Sequence, residues 1–214
     1  MSTAPKRIRH IDKGVLLVSF VGKVLGVCPN CDGPALVTSQ LKRAVPFVPT
    51  HSRVNCLRCS FQLVPDGKWL GPVKGLAKAR CPNCGFKWLK RELRLRRLNN
   101  RASQRVSISC PSCEMATMTP IQWTRERFDS PVDPVAGLPL WLKWSCCGQT
   151  LWAYNGEHLN KLRAYVAASL RERTANKHLS MFARLPQWMT AGKNREAVLS
   201  SINRLEKKLA LVKA

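Results

Sequence analysis

The stretch Gly26-Val27-Cys28-Pro29-Asn30-Cys31 returns 53 positions later as Ala79-Arg80-Cys81-Pro82-Asn83-Cys84. Its mate, Val54-Asn55-Cys56-Leu57-Arg58-Cys59, returns 54 positions later as Ile108-Ser109-Cys110-Pro111-Ser112-Cys113. Each stretch holds two cysteines two residues apart, the spacing at which one tight turn aims two thiolates at a single ion. The knuckles are separated by 24 residues in the first copy and 25 in the second. Matched gaps predict pairing within each copy: Cys28, Cys31, Cys56 and Cys59 around one zinc ion, and Cys81, Cys84, Cys110 and Cys113 around another. A rival pairing joins Cys56/Cys59 to Cys81/Cys84 and Cys110/Cys113 to Cys146/Cys147, which leaves the first knuckle without a mate.

Cys146 and Cys147 complete the ten cysteines of the chain. They read as a shortened knuckle, a third metal site in need of outside ligands with His158 the nearest, or as two small buried hydrophobes. Zinc would decide folding as well as shape. Each copy spans about 32 residues from first to last ligand, too few to bury a sufficient core unaided. Structural zinc contributes about 10–16 kcal/mol in small peptides.

The 214 residues carry a net charge of +24, of which +17 falls at or before Cys113. Such a field draws a protein to polyanions, nucleic acid first among them. Basic residues precede an apolar run, Val15 to Val21, that loosely mimics an export signal. Lys23 interrupts it, Val27 is too large for a cleavage position, and the run is too short to span a bilayer. A buried N-terminal strand and a reducing cytoplasmic location are expected, with no membrane partner, and thiolate–metal sites are favoured over disulfides.

The fold class expected is α+β. A basic arm and strand (1–25) leads to the first cysteine module (26–75) and the second (76–127). A Pro-rich loop and a strand with the Cys-Cys pair follow (128–154), then a helical region (155–214). Within the loop, Asp129 and Asp133 read as turn formers, and Leu140 to Trp144 alternates as a strand. Asn155-Gly156 offers a cap before a stripe of Leu159, Leu162, Tyr165, Val166 and Leu170. Asn194 caps a last helix whose stripe is Leu199, Ile202, Leu205, Leu209 and Val212. That stripe suits either the core or docking on other protein subunits.

The densest basic segment runs from Lys87 to Arg105: Lys87, Lys90, Arg91, Arg94, Arg96, Arg97, Arg101 and Arg105 against Glu92 alone. Trp88 stands beside them, suited to stacking on a base. Lys42, Arg43, Arg53 and Arg58 add candidate nucleic-acid contacts in the first copy. In an extended strand, Arg94 and Arg96 share a face. No phosphate-binding glycine loop, paired carboxylates or nucleophile elbow is visible, so no enzyme is expected.

Two resemblances follow. The knuckles, Cys81-Pro82-Asn83-Cys84-Gly85 above all, are similar to zinc ribbons of transcription and replication proteins, which implies two tandem ribbons of short antiparallel hairpins, each holding structural Zn2+. The stretch from Val27 through Cys59, with a basic chain and helical tail, resembles the zinc-finger large subunit of type IV CRISPR effector complexes. That resemblance implies a non-catalytic subunit of a ribonucleoprotein complex in antiviral defence, contacting guide RNA and the duplex DNA beside the protospacer. A free-standing zinc-ribbon transcription regulator that binds DNA is the alternative. A zinc-dependent enzyme or redox protein is the third reading.

Overall fold

The computed structural model describes residues 8–41, 49–65, 69–98, 103–126, 130–173 and 180–213. Strand β1 (Arg9–Asp12) precedes a 3-10 turn at Leu17–Phe20. The apolar run is therefore not the strand expected there. Gly14 adopts a positive φ of 76° before it and Gly22 accepts a backbone bond from Ser39 after it, so the run closes into a turn that buries Phe20 and Val21. The strand, β2 (Lys23–Val27), begins only past that turn and opens an antiparallel sheet with β3 (Pro34–Leu41), β4 (Pro49–Cys56) and β5 (Gln62–Leu63), each paired to the next in the order β2-β3-β4-β5.

The second module is built from β6 (Val73–Ala79), β7 (Leu89–Leu95), β8 (Arg105–Ser109), β9 (Ala116–Pro120) and β10 (Gln122–Arg125). β10-β6-β7 form one antiparallel sheet and β8-β9 a hairpin. Along β6 the buried Val73, Gly75 and Ala77 alternate with Lys74, Leu76 and Lys78, the period-2 pattern of a sheet with one wet face.

The chain then returns to the first module. Leu140 bridges Gly26, and the Val27 N–H donates to Pro139 O at 2.8 Å. Asp133 is buried in this loop and accepts from the backbone N–H groups of Val135, Ala136 and Leu138, so it does form the turn. Asp129 lies outside the described residues. Strands β11 (Lys143–Cys146) and β12 (Gln149–Trp152) make a hairpin, a little later than the strand expected from Leu140.

Helix α1 (Gly156–Ala167) starts as its sequence indicates: Asn155 Oδ1 accepts from the His158 N–H at 2.9 Å. It ends before Leu170, which belongs to β13 (Leu170–Arg173) in a parallel pair with β1. The Arg171 guanidinium closes the helix by donating to Tyr165 O and Val166 O at 3.0 and 3.1 Å, carbonyls left open in the last turn. After α2 (Gln187–Thr190) comes α3 (Arg195–Lys213). Asn194 does not cap α3 as expected; its side-chain amide donates to Trp188 O at 2.8 Å. The α3 stripe turns inward: Ile202 and Leu205 are fully buried, and Leu199, Leu209 and Val212 pack on the same core. Lys208 fastens the helix to the Trp141 carbonyl at 2.7 Å.

The main core joins β2, β3 and β4 to the loop at 135–142, α1 and α3. The second module has a small core of its own, and a still smaller cluster joins its Val73 to Trp69 before it and Val132 after it. Where the modules meet, two glycines are pressed together. The Leu70 N–H donates to Ala136 O at 2.7 Å, and a Cβ on Gly71 would lie 2.5 Å from the Gly137 carbonyl.

Candidate metal centres and basic face

All four knuckles close with the same bond. The backbone N–H of the first cysteine donates to the carbonyl five residues on: Cys28 to Gly33 and Cys81 to Phe86 at 2.8 Å, Cys56 to Phe61 at 2.9 Å, Cys110 to Met115 at 3.0 Å. In three of them the residue after the second cysteine has a left-handed backbone, Asp32 at φ 54°, Gly85 at 74° and Glu114 at 61°. Its N–H donates back to the first cysteine's carbonyl. This turn leaves both thiols of a knuckle on one side.

The knuckles meet within each copy, so the rival pairing is overturned. The sulfurs of Cys28, Cys31, Cys56 and Cys59 all lie within 4.8 Å of one another, as do those of Cys81, Cys84, Cys110 and Cys113. Cys28 and Cys59 Sγ are 3.8 Å apart and Cys31 and Cys56 Sγ 3.5 Å. The matching distances in the second group are 3.5 Å for Cys81–Cys113 and 3.6 Å for Cys84–Cys110. A tetrahedral ion with thiolates at about 2.3 Å has sulfur–sulfur edges of about 3.8 Å. The spacing fits a metal ion and is far from a disulfide bond of about 2.05 Å.

The surroundings favour thiolates. Burial raises the Cys56 thiol, yet the N–H groups of Cys59 and Arg58, both 3.3 Å from its sulfur, bring it down to about 6. Cys113 is held down to about 6 by the Met115 N–H and the Asn83 side chain. Cys59 is lowered by the Phe61 N–H and by Asn30, whose Nδ2 lies 3.6 Å away. Cys31 moves the other way, to about 12: the Gly33 N–H opposes the shift, while desolvation and the sulfurs of Cys56, Cys59 and Cys28 drive it. Four sulfurs without a cation divide into charged and neutral members, and a divalent ion relieves that conflict. Asn30 and Asn83 occupy the same place in Cys-Pro-Asn-Cys, and each reaches across to the last cysteine of its group. The repeat displayed both asparagines, but spacing alone gave no sign that they serve the sulfurs.

No third group forms among the described residues. Cys146 is buried, Cys147 exposed, and their sulfurs are 3.7 Å apart. Cys147 and Gly148, at φ 52° and 71°, are the two loop residues of the β11–β12 hairpin, the geometry of a type I′ turn. The apparent knuckle is therefore a hairpin turn. His158 is not aimed at it: the ring is buried, stacks on Phe20 with centroids 4.9 Å apart, and accepts at Nδ1 from the Tyr154 N–H.

The basic segment is partly the strand its alternation suggests. On β7, Lys90, Glu92 and Arg94 face outward, opposite Lys78, Leu76 and Lys74 of β6. Trp88, just before the strand, is 80% exposed, and Lys87 is exposed beside it. Acids temper this face. Glu92 bridges Lys74 at 3.2 Å and Lys90 at 2.7 Å and is thereby held below the usual carboxylate range. Glu126 approaches Arg94 at 3.1 Å, a partner 32 positions away that local charge counting missed. Arg91, exposed on the opposite face of β7, donates to Ser107 O at 2.9 Å, and Arg105 donates to Met118 O at 3.0 Å. Arg96 and Arg97 are exposed beyond the strand end, and Arg53 and Arg58 are exposed in the first module. Lys42, Arg43 and Arg101 lie outside the described residues. Among the described residues no helix is long and apolar enough to cross a membrane. No protein-family model, curated protein or solved structure matches the chain.

Proposed function

We propose that the two four-cysteine groups are tandem zinc-ribbon sites and that the chain is a non-catalytic, zinc-dependent nucleic-acid-binding subunit. Zinc held by four thiolates keeps no open position for substrate, which favours scaffold over catalyst. The observation that carries the reading is the outward face of β10-β6-β7. Four cations, Lys74, Lys78, Lys90 and Arg94, lie on two adjacent strands against the two carboxylates of Glu92 and Glu126, with the exposed indole of Trp88 one residue before β7. Cations suit phosphates, and an exposed aromatic ring suits a base. A place in a CRISPR-type ribonucleoprotein rests on the resemblance of the first module alone.

Fluorescence anisotropy of a labelled 20-mer duplex across a salt series tests it. Lys78→Ala with Arg94→Ala should weaken binding and reduce the log–log salt slope by roughly 1.8, two phosphate contacts' worth. An unchanged slope removes this face from the interface.

A further inference from the structure

A cavity of ≈ 620 Å³ lies between β12, α1 and the segment from Met181 to Met189, apart from both cysteine groups. Its depth is apolar, with Leu162, Met181 and Met189 buried, and two half-buried indoles, Trp152 and Trp188, form walls. Sites for small molecules have this size and lining, with a few placed polar groups.

Two polar groups here have donors that the fold does not use. His158 is 3% exposed and lines the cavity. Its Nδ1 accepts from the Tyr154 N–H at 3.2 Å, so the neutral ring carries its proton on Nε2. Among the described residues nothing accepts from that N–H. Phe20 stacked on one face and Trp152 edge-on at 5.8 Å fix the ring's direction. That donor opens onto the cavity with its direction already set, one of the few placed polar groups that orient a ligand in an otherwise apolar site. The second group is Arg184, exposed at the mouth and without a carboxylate partner among the described residues.

We propose that this cavity binds a flat aromatic anion, whose inner end accepts a hydrogen bond from His158 Nε2–H and whose negative charge meets Arg184 at the mouth. The indole walls favour a planar body, since aromatic faces and edges pack best against rings. A free aryl acid and a mononucleotide share this chemistry.

Titration of the full-length, zinc-loaded protein with 1-anilinonaphthalene-8-sulfonate reads the site. One molecule should bind per chain, and Arg184→Ala should weaken binding about tenfold, the loss of one charged contact. Thr150→Trp places a ring at an exposed strand position on the mouth and should abolish binding while amide-exchange protection of α1 and α3 is kept. The His158 Nε2 proton should shift in a 1H–15N spectrum on binding. Displacement by 2-naphthoate assigns an aryl acid, and displacement by AMP assigns a nucleotide. Displacement by neither, or a titration that Thr150→Trp leaves unchanged, or an unmoved His158 proton, overturns the proposal.

Discussion

The two modules share a knuckle chemistry and differ in what lies behind it. In the first, Val24, Val37 and Val54 are fully buried in a core that also contains Leu140, Leu142, Tyr154 and Ile202. In the second, the core holds Ala77, Cys81, Leu89, Ile108, Cys110 and Ile121. Only three of those six are large aliphatics, each contributing about 1.5–3 kcal/mol on burial. A unit with so small a core depends on further staples, of which a bound metal is one. The same four-cysteine arrangement therefore sits against a large core in one place and a small one in the other.

The largest consequence is an unequal response to metal removal. A structural ion contributes about 10–16 kcal/mol, as much as the whole stability of an ordinary domain, about 5–15 kcal/mol. Complete chelation should abolish amide-exchange protection in β6, β7 and β10 while α1 and α3 stay protected. The comparison breaks if α1 and α3 lose protection together with β6.

The converse perturbation starts from the main core. Leu205→Ala removes a fully buried side chain of α3 and should cost about 2–5 kcal/mol. Exchange in β2, β3 and β4 should accelerate with that loss, and exchange in β7 should not. A uniform acceleration would mean that the small cores are extensions of the large one.

Their junction can be tested separately. Gly71 and Gly137 touch backbone to backbone, and Gly137 holds a φ of 81°. Gly71→Ala puts a methyl 2.5 Å from the Gly137 carbonyl, an overpacking that should cost about 1–3 kcal/mol. Small-angle scattering should show a longer molecule with both cysteine groups still metal-loaded. An unchanged profile would place the cohesion of the modules elsewhere.

What the sequence disclosed follows the range of each interaction. The pairing of the knuckles was legible because it repeats with matched gaps, and the cap at Asn155 because it is three residues from its partner. Long-range choices were not. Nothing near Leu170 announces a parallel partner at Arg9, 161 positions earlier, so helical spacing was read one turn too far. Cys146-Cys147-Gly148 looks like a damaged knuckle until β11 and β12 flank it as a hairpin. Lys87 to Arg105 reads as nearly unopposed charge because Glu126 arrives from just past the end of β10. Which module joins the main core was hidden for the same reason, since the loop at 135–142 that covers β2 lies more than a hundred residues from it.

The smallest expected difference concerns Asn30 and Asn83, where the modules should behave alike. Each asparagine donates to the last sulfur of its group, and loss of such an outer partner typically costs 10–100-fold in metal affinity. Competition with a zinc-binding dye at pH 7.5 should therefore report about the same loss for Asn30→Ala and Asn83→Ala. The sign of the pH dependence follows from Cys113, which is held down to about 6, below the free thiol value of about 8.5. A lowered thiol stabilises the metal-free fold at pH above the unfolded value and ceases to do so as pH falls through 6. Without Asn83 the thiol rises, protons compete earlier, and the deficit in zinc affinity should widen between pH 7.5 and 6. Yet only Asn83→Ala should expose β6 and β7 to exchange at limiting zinc, because the first module has a core to fall back on. Equal affinity losses with equal unfolding would show that both groups hold up their own modules, and the contrast between them would be gone.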